Sequence, residues 1–128
     1  MRLVDTDVLI WNLRGNEAAA RLLDGGEPFI VSAVSYMELL QGLRDNQELR
    51  TLRRALRFWG ADLLHLNEEI SARAMFLVEE YALSHNMQMA DALIAAGALY
   101  LGVPLVTAND RHYRHIKELE ILVFRPRQ

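Results

Sequence analysis

The chain has 128 residues, 52% of them apolar and 24% charged, with a formal net charge of −3. This length supports one domain over residues 1–128 with a substantial core, and the lack of cysteine excludes disulfides and thiolate metal sites. No apolar run approaches the ~20 residues of a membrane span, and Met1-Arg-Leu-Val-Asp5 offers no signal-peptide core, so a cytoplasmic protein without membrane contact is expected.

Leu3-Val4 reads as a first strand that runs into a helix over residues 6–14. Gly15-Asn16 breaks that helix, a short one follows to Asp24, and Gly25-Gly26 makes a turn. Phe29-Ile-Val31 is a second strand, with Ser32 or Ser35 available to cap a helix that carries Glu38 to about Leu43. A helix over 46–58 and a strand over 62–66 come next. Over 68–84, Ile70, Ala74, Leu77, Val78, Tyr81 and Ala82 share one helical face. The helix expected over 89–101 is apolar almost all round, so it should be buried on more than one side. Gly102 ends it, residues 104–107 form a fourth strand, a short basic helix spans about 109–116, and residues 121–124 form a fifth strand. Strands alternating with helices imply a layered α/β fold on a parallel sheet, where ligands sit beyond the carboxyl ends of the strands.

Three carboxylates stand almost alone in apolar surroundings. Asp5 closes the first strand, Glu38 is the only charge from Pro28 to Leu43, and Asp91 is the only charge from Met87 to Asn109. A lone buried carboxylate is costly, and it neutralises or finds a partner. Asp5 has a simple alternative role as the N-cap of the first helix, and Glu38 as a solvated position on an amphipathic helix. Asp7 fits the first helical turn, where the helix dipole favours negative charge. Asp91 resists such an explanation best. Thr107-Ala-Asn109-Asp110 adds a hydroxyl, an amide and a carboxylate at a strand end, a combination also common in turns.

Taken together, hard oxygen ligands select Mg²⁺ or Mn²⁺ over softer metals. Such sites often hold two ions about 4 Å apart and perform in-line phosphoryl displacement. The basic residues are nearly all arginine, with Lys117 the only lysine. They gather at Arg50, Arg53, Arg54 and Arg57, read by themselves as a solvated helix face, and at Arg111, Arg114 and Lys117 beside the candidate site, where a phosphate backbone would be met. His112 and His115 lie among those cations, which disfavours metal binding there, and His65 and His85 read as structural.

These blocks resemble the PIN-domain ribonucleases, most closely the VapC toxins of toxin–antitoxin systems. Leu3-Val-Asp5-Thr-Asp-Val-Leu-Ile10 is similar to the family's opening strand, and Ser32-Ala-Val-Ser-Tyr-Met-Glu38-Leu-Leu-Gln-Gly42 to its second block. Ala90-Asp91-Ala-Leu-Ile-Ala-Ala96 is similar to the third, and Leu105-Val-Thr107-Ala-Asn109-Asp110 with Tyr113 to the fourth. The resemblance implies a PIN-like three-layer fold with a mostly parallel sheet of four to five strands. It implies that Asp5, Glu38 and Asp91 are the core acidic residues, with Asp5 and Asp91 the main Mg²⁺ ligands and Thr107 orienting water or phosphate. Its fourth acidic slot holds Asn109 here, with Asp110 alongside as the carboxylate available to replace it. It further implies a metal-dependent endoribonuclease acting on transfer or ribosomal RNA, restrained by a VapB-like antitoxin, and a homodimer.

Two other readings compete. Asp5-Thr-Asp7-Val also fits the opening motif of haloacid-dehalogenase-like phosphatases, with Asp5 as nucleophile, but leaves Glu38 and Asp91 without roles. A non-catalytic PIN-like binding module is the other.

Overall fold

The structure is a computed structural model and describes residues 1–127. Five short strands, β1 (Leu3–Val4), β2 (Ile30–Ser32), β3 (Asp62–Leu64), β4 (Leu105–Thr107) and β5 (Ile121–Val123), form one sheet in the order β3-β2-β1-β4-β5. Every pairing is parallel, with Leu3 opposite both Ile30 and Leu105. Six α-helices connect or flank them among the described residues: α1 (Thr6–Leu13), α2 (Glu17–Asp24), α3 (Ala33–Gln41), α4 (Asn46–Trp59), α5 (Glu68–His85) and α6 (Met89–Leu101).

Side-chain alternation along the strands builds a core on each side of the sheet. Leu3, Ile30 and Leu105 point to one face and pack with Ile70 and Leu77 of α5 and Ile94 and Ala95 of α6. Their neighbours Val4, Val31 and Val106 point to the other and pack with Val8 and Leu9 of α1, Leu23 of α2, Leu39 of α3 and Leu52 of α4. Each fully buried aliphatic side chain contributes roughly 1.5–3 kcal/mol. The uniformly apolar α6 is buried from Ile94 to Ala98 because the sheet and α5 cover it on different sides. Gly97 permits the approach: a Cβ there would lie 3.0 Å from Leu64 Cδ2 and 3.8 Å from Leu3 Cδ2.

Three expectations shift. The third strand stops at Leu64, since its pairing partner β2 ends at Ser32, where α3 begins. Ser32, rather than Ser35, caps α3 by accepting from the Val34 amide. The basic helix expected over 109–116 is a single 3-10 turn, Asp110–His112, followed by further turns. Tyr113, Ile116 and Leu119 are all buried, and a burial spacing of three matches the 3-10 period better than the 3.6-residue α period.

Candidate active site

β1 and β4 are neighbours, so their carboxyl ends lie side by side, with the Asp5 amide donating to the Val106 carbonyl at 2.9 Å. Asp5 is the N-cap of α1, and its Oδ1 accepts from the Thr6 amide at 2.8 Å. That satisfies the simple capping role with one oxygen only. Oδ2 accepts from the fully buried Thr107 hydroxyl at 2.8 Å, and the Thr107 oxygen accepts in turn from the Asn109 amide at 3.0 Å.

Asp7 enters the same network. Its Oδ2 accepts from the Ala108 amide at 3.0 Å and lies 3.3 Å from the Thr107 hydroxyl. Its Oδ1 is buried with no hydrogen-bond partner. An uncompensated carboxylate oxygen is expensive.

Glu38 reaches the group from α3: the Thr6 hydroxyl donates to its Oε1 at 2.6 Å and lies 2.8 Å from the Ser35 hydroxyl. Asp91 is in the first turn of α6, which starts at Met89 with Gln88 as its cap residue, so Asp91 is no helix cap. Its Oδ1 accepts from the buried Tyr113 hydroxyl at 3.2 Å, and its Oδ2 lies 3.2 Å from His112 Nδ1. Asp5, Asp7, Glu38 and Asp91 line one cleft of about 390 Å³ together with Thr6, Ile10, Gln41, Asn109 and His112.

Crowded, desolvated carboxylates resist ionisation. Burial, and then the charge of Asp7, push the Asp5 carboxyl up to about 7, against the opposing hydrogen bonds from Thr107, Tyr113 and the Thr6 amide. Burial raises Asp7 as well, opposed by the Ala108 amide. Burial and the neighbouring Asp5 and Asp91 charges keep the Tyr113 phenol protonated. Tyr113 therefore acts as a fixed donor.

A divalent cation fits this donor set. The ligands are hard oxygens, one of them an unpartnered buried carboxylate oxygen, and a cation would offset the burial and the repulsion from Asp7 that raise the Asp5 carboxyl. Among the described residues, no three His, Cys, Asp or Glu side chains are grouped so as to hold a metal ion between them. Mg²⁺ characteristically keeps several waters in its shell, so an open cleft suits it.

Asp5, Glu38, Asp91, Thr107 and Asn109 are thus brought together. Asp110 stands apart, paired with Arg125 at 3.4 Å, and does not line the cleft. The side chain facing the cleft at this corner is Asn109. Arg111, Arg114 and Lys117 are exposed and contribute nothing to the cleft lining. Sequence reasoning passed over Asp7, whose place in a first helical turn gave it a sufficient role, and His112, whose arginine neighbours pointed outward. Their i+2 and i−1 relations to Asp5 and Tyr113 were the available signals. His115 does lie elsewhere, stacked on His85 with ring centroids 4.4 Å apart.

Residues 2–119 match the model of the PIN domain. The chain is 37% identical to Ribonuclease VapC10 of Mycobacterium tuberculosis, over 94% of this chain and 91% of that one. It is 34% identical to Ribonuclease VapC19 of the same organism, over 94% and 98%. Among solved structures, a toxin–antitoxin complex from Klebsiella pneumoniae contains a chain that superposes with a TM-score of 0.79 at 25% identity, covering 100% of this chain and 99% of that one.

Proposed function

Since the chain belongs to the PIN-domain family, we propose that it is a metal-dependent endoribonuclease that hydrolyses phosphodiester bonds of structured RNA such as transfer or ribosomal RNA. In this reading it is the toxin of a pair, held inactive by a VapB-like antitoxin, and works as a homodimer. The observation that carries the reading is the Asp5–Asp7 pair at the end of β1, Asp5 buried and Asp7 half-buried, lining one cleft with Glu38 and Asp91, with a carboxylate oxygen of Asp7 left unpartnered. Relatives that align over most of the chain are named ribonucleases, which supports the same chemistry.

Asp5, Asp7 and Asp91 would hold Mg²⁺ or Mn²⁺. When bound, the ion supplies polarisation of the scissile phosphate and a more acidic water. The chain's own groups do the positioning. Thr107 and the Thr6 amide fix the rotamer of Asp5, and Tyr113 with His112 fixes Asp91. Glu38 sits exposed at the cleft, oriented by Thr6, where it can take the proton of an attacking water. Asn109 lines the same cleft and can bind a ligand water or a phosphate oxygen without adding charge.

Asp5 as a phosphatase nucleophile fits less well. Lys117, the chain's only lysine, is exposed and outside the cleft lining, so the cation that chemistry needs is missing from the cleft.

The test is RNA cleavage with and without divalent metal. Mg²⁺ or Mn²⁺ should support cleavage, chelation should stop it, and Asp5→Asn or Asp91→Asn should each lower the rate by about 10³-fold, the scale of losing electrostatic transition-state stabilisation. Metal-independent cleavage, or full activity in either variant, contradicts the proposal. Hydrolysis of small phosphomonoesters lost in Asp5→Asn but kept in Asp91→Asn would favour the phosphatase.

A further inference from the structure

We propose that the outward face of α4 is where the RNA docks, with Phe58 stacking against an unpaired base and Arg50, Arg54 and Arg57 contacting phosphates. This rests on the reading of the chain as a ribonuclease.

The acidic cleft creates the need. Four carboxylates line it, and the chain as a whole carries −3, so the site repels a phosphodiester and affinity must come from elsewhere. α4 buries Leu52 and half-buries Leu49, Leu56 and Trp59, which leaves the opposite side to solvent. Arg50, Arg54 and Arg57 follow one another there at i, i+4 and i+7, with Arg53 alongside.

An ordinary solvated helix face interleaves acids with such arginines. Here no acid occurs from Leu49 to Trp59. Glu48 is committed to Arg44, at 2.7 Å. Among the described residues Arg50, Arg53, Arg54 and Arg57 form no ion pair. Like charges at i, i+4, as in Arg50–Arg54 and Arg53–Arg57, oppose helix formation. An anionic ligand would reverse that cost.

Phe58 gives the surface its specificity. It is 76% exposed although it sits in the most basic stretch of the chain. It shares a helical stripe with Arg54 and Thr51, three to four residues apart at each step. A flat ring flanked by guanidinium groups is the arrangement that holds single-stranded or looped nucleic acid, by stacking plus phosphate contacts.

The surface is continuous with the cleft. Thr51, Glu48 and Arg44 of α4 and the segment before it line a groove of about 710 Å³ with Ile10, Leu13 and Glu38. Ile10 and Glu38 also line the acidic cleft. A strand whose scissile phosphate lies at Asp5 and Asp91 can therefore follow the groove to the Thr51–Phe58 stripe without leaving the surface.

Binding is measured by fluorescence anisotropy in the Asp5→Asn background, with a fluorescein-labelled single-stranded RNA of about twelve nucleotides, within common single-strand site sizes. Arg54→Ala/Arg57→Ala should weaken binding by about tenfold or more and reduce the salt slope by roughly 1.4, about 0.7 for each phosphate no longer neutralised. Phe58→Ala should weaken binding about tenfold with the slope unchanged, and Phe58→Trp should retain it. These side chains are exposed, so melting temperatures should match the parent.

Parental affinity and slope in the arginine pair and in Phe58→Ala would overturn the inference, leaving this face to an acidic protein partner instead. Cleavage of total transfer and ribosomal RNA is measured in parallel with Asp5 restored. Binding that depends on α4 without any cleavage supports the docking surface and sinks the nuclease reading. Cleavage with an unchanged KM in these variants does the opposite.

Discussion

Leu3 and Asp5 stand two residues apart and are almost equally buried, at 0% and 5% exposure, yet burial has opposite consequences for them. Leu3 lies between α5, α6 and neighbouring strands, and its enclosure stabilises the fold. Asp5 lies where the sheet ends, beside another carboxylate, and its enclosure costs free energy. The difference separates the part of the sheet that holds the molecule together from the edge that is set up to receive something. A chain tolerates such an edge where an incoming cation would relieve it.

Replacing each residue should break the symmetry in opposite directions. Leu3→Ala should lower stability by about 2–5 kcal/mol in denaturant unfolding. Asp5→Asn should cut cleavage by about 10³-fold while raising the melting temperature at pH 8 by about 5 °C, on the order of 1–2 kcal/mol for a domain of this size. The gain must depend on pH. In the fold the Asp5 carboxyl is raised to about 7 from 3.8, so its stabilising protonated state is fully present below 3.8 and lost as pH climbs through about 7. Wild-type stability should therefore fall across that window in metal-free buffer. The slope should flatten in Asp5→Asn, whose advantage should vanish near pH 4. A stability gain equally large at pH 4 and pH 8 would mean that Asp5 is not the titrating group.

Smaller effects sharpen the boundary between the two regions. Tyr113 belongs to both: its ring is in the apolar core and its hydroxyl holds Asp91. Tyr113→Phe removes the hydroxyl that serves Asp91 and also Asp5, which should cost about 1 kcal/mol. Its rate should drop several-fold with the Mg²⁺ requirement intact. An unchanged rate would show that His112 alone suffices to place Asp91.

At the fourth corner of the cleft the sequence favours Asp110, because it is charged. The structure pairs Asp110 with Arg125 and puts Asn109 on the cleft. Asn109→Ala should weaken Mg²⁺ binding by a few-fold, and Asp110→Ala by less than twofold, as expected for one neutral oxygen against an exposed ion pair. The reverse order in a titration would return the role to the carboxylate.

Much of this was readable from the chain because two kinds of contrast were strong. Strands and helices alternate with clear breaks, and the uniform apolarity of residues 92–99 leaves little choice but a helix covered on several sides. Asp5, Glu38 and Asp91 were visible because each interrupts an apolar stretch. Asp7 was hidden by having a sufficient local reason to exist in a first helical turn. The short basic helix expected after β4 is a shorter 3-10 turn, because its burial period is three, and four residues of polar sequence do not distinguish a period of 3.0 from 3.6. Asp110 pairs with Arg125, a residue from beyond β5, a contact that the local sequence around Asn109 and Asp110 does not announce.

The central claim is that Mg²⁺ binds at the Asp5–Asp7 pair and displaces the proton which burial keeps there. Calorimetric titration of Mg²⁺ at pH 7 in two buffers of different ionisation enthalpy tests it directly, because the buffer difference counts the protons released. With the Asp5 carboxyl at about 7, binding should release about half a proton per ion, and Asp5→Asn should abolish that release. Binding without proton release, or release that persists in Asp5→Asn, would place the ion somewhere other than this pair.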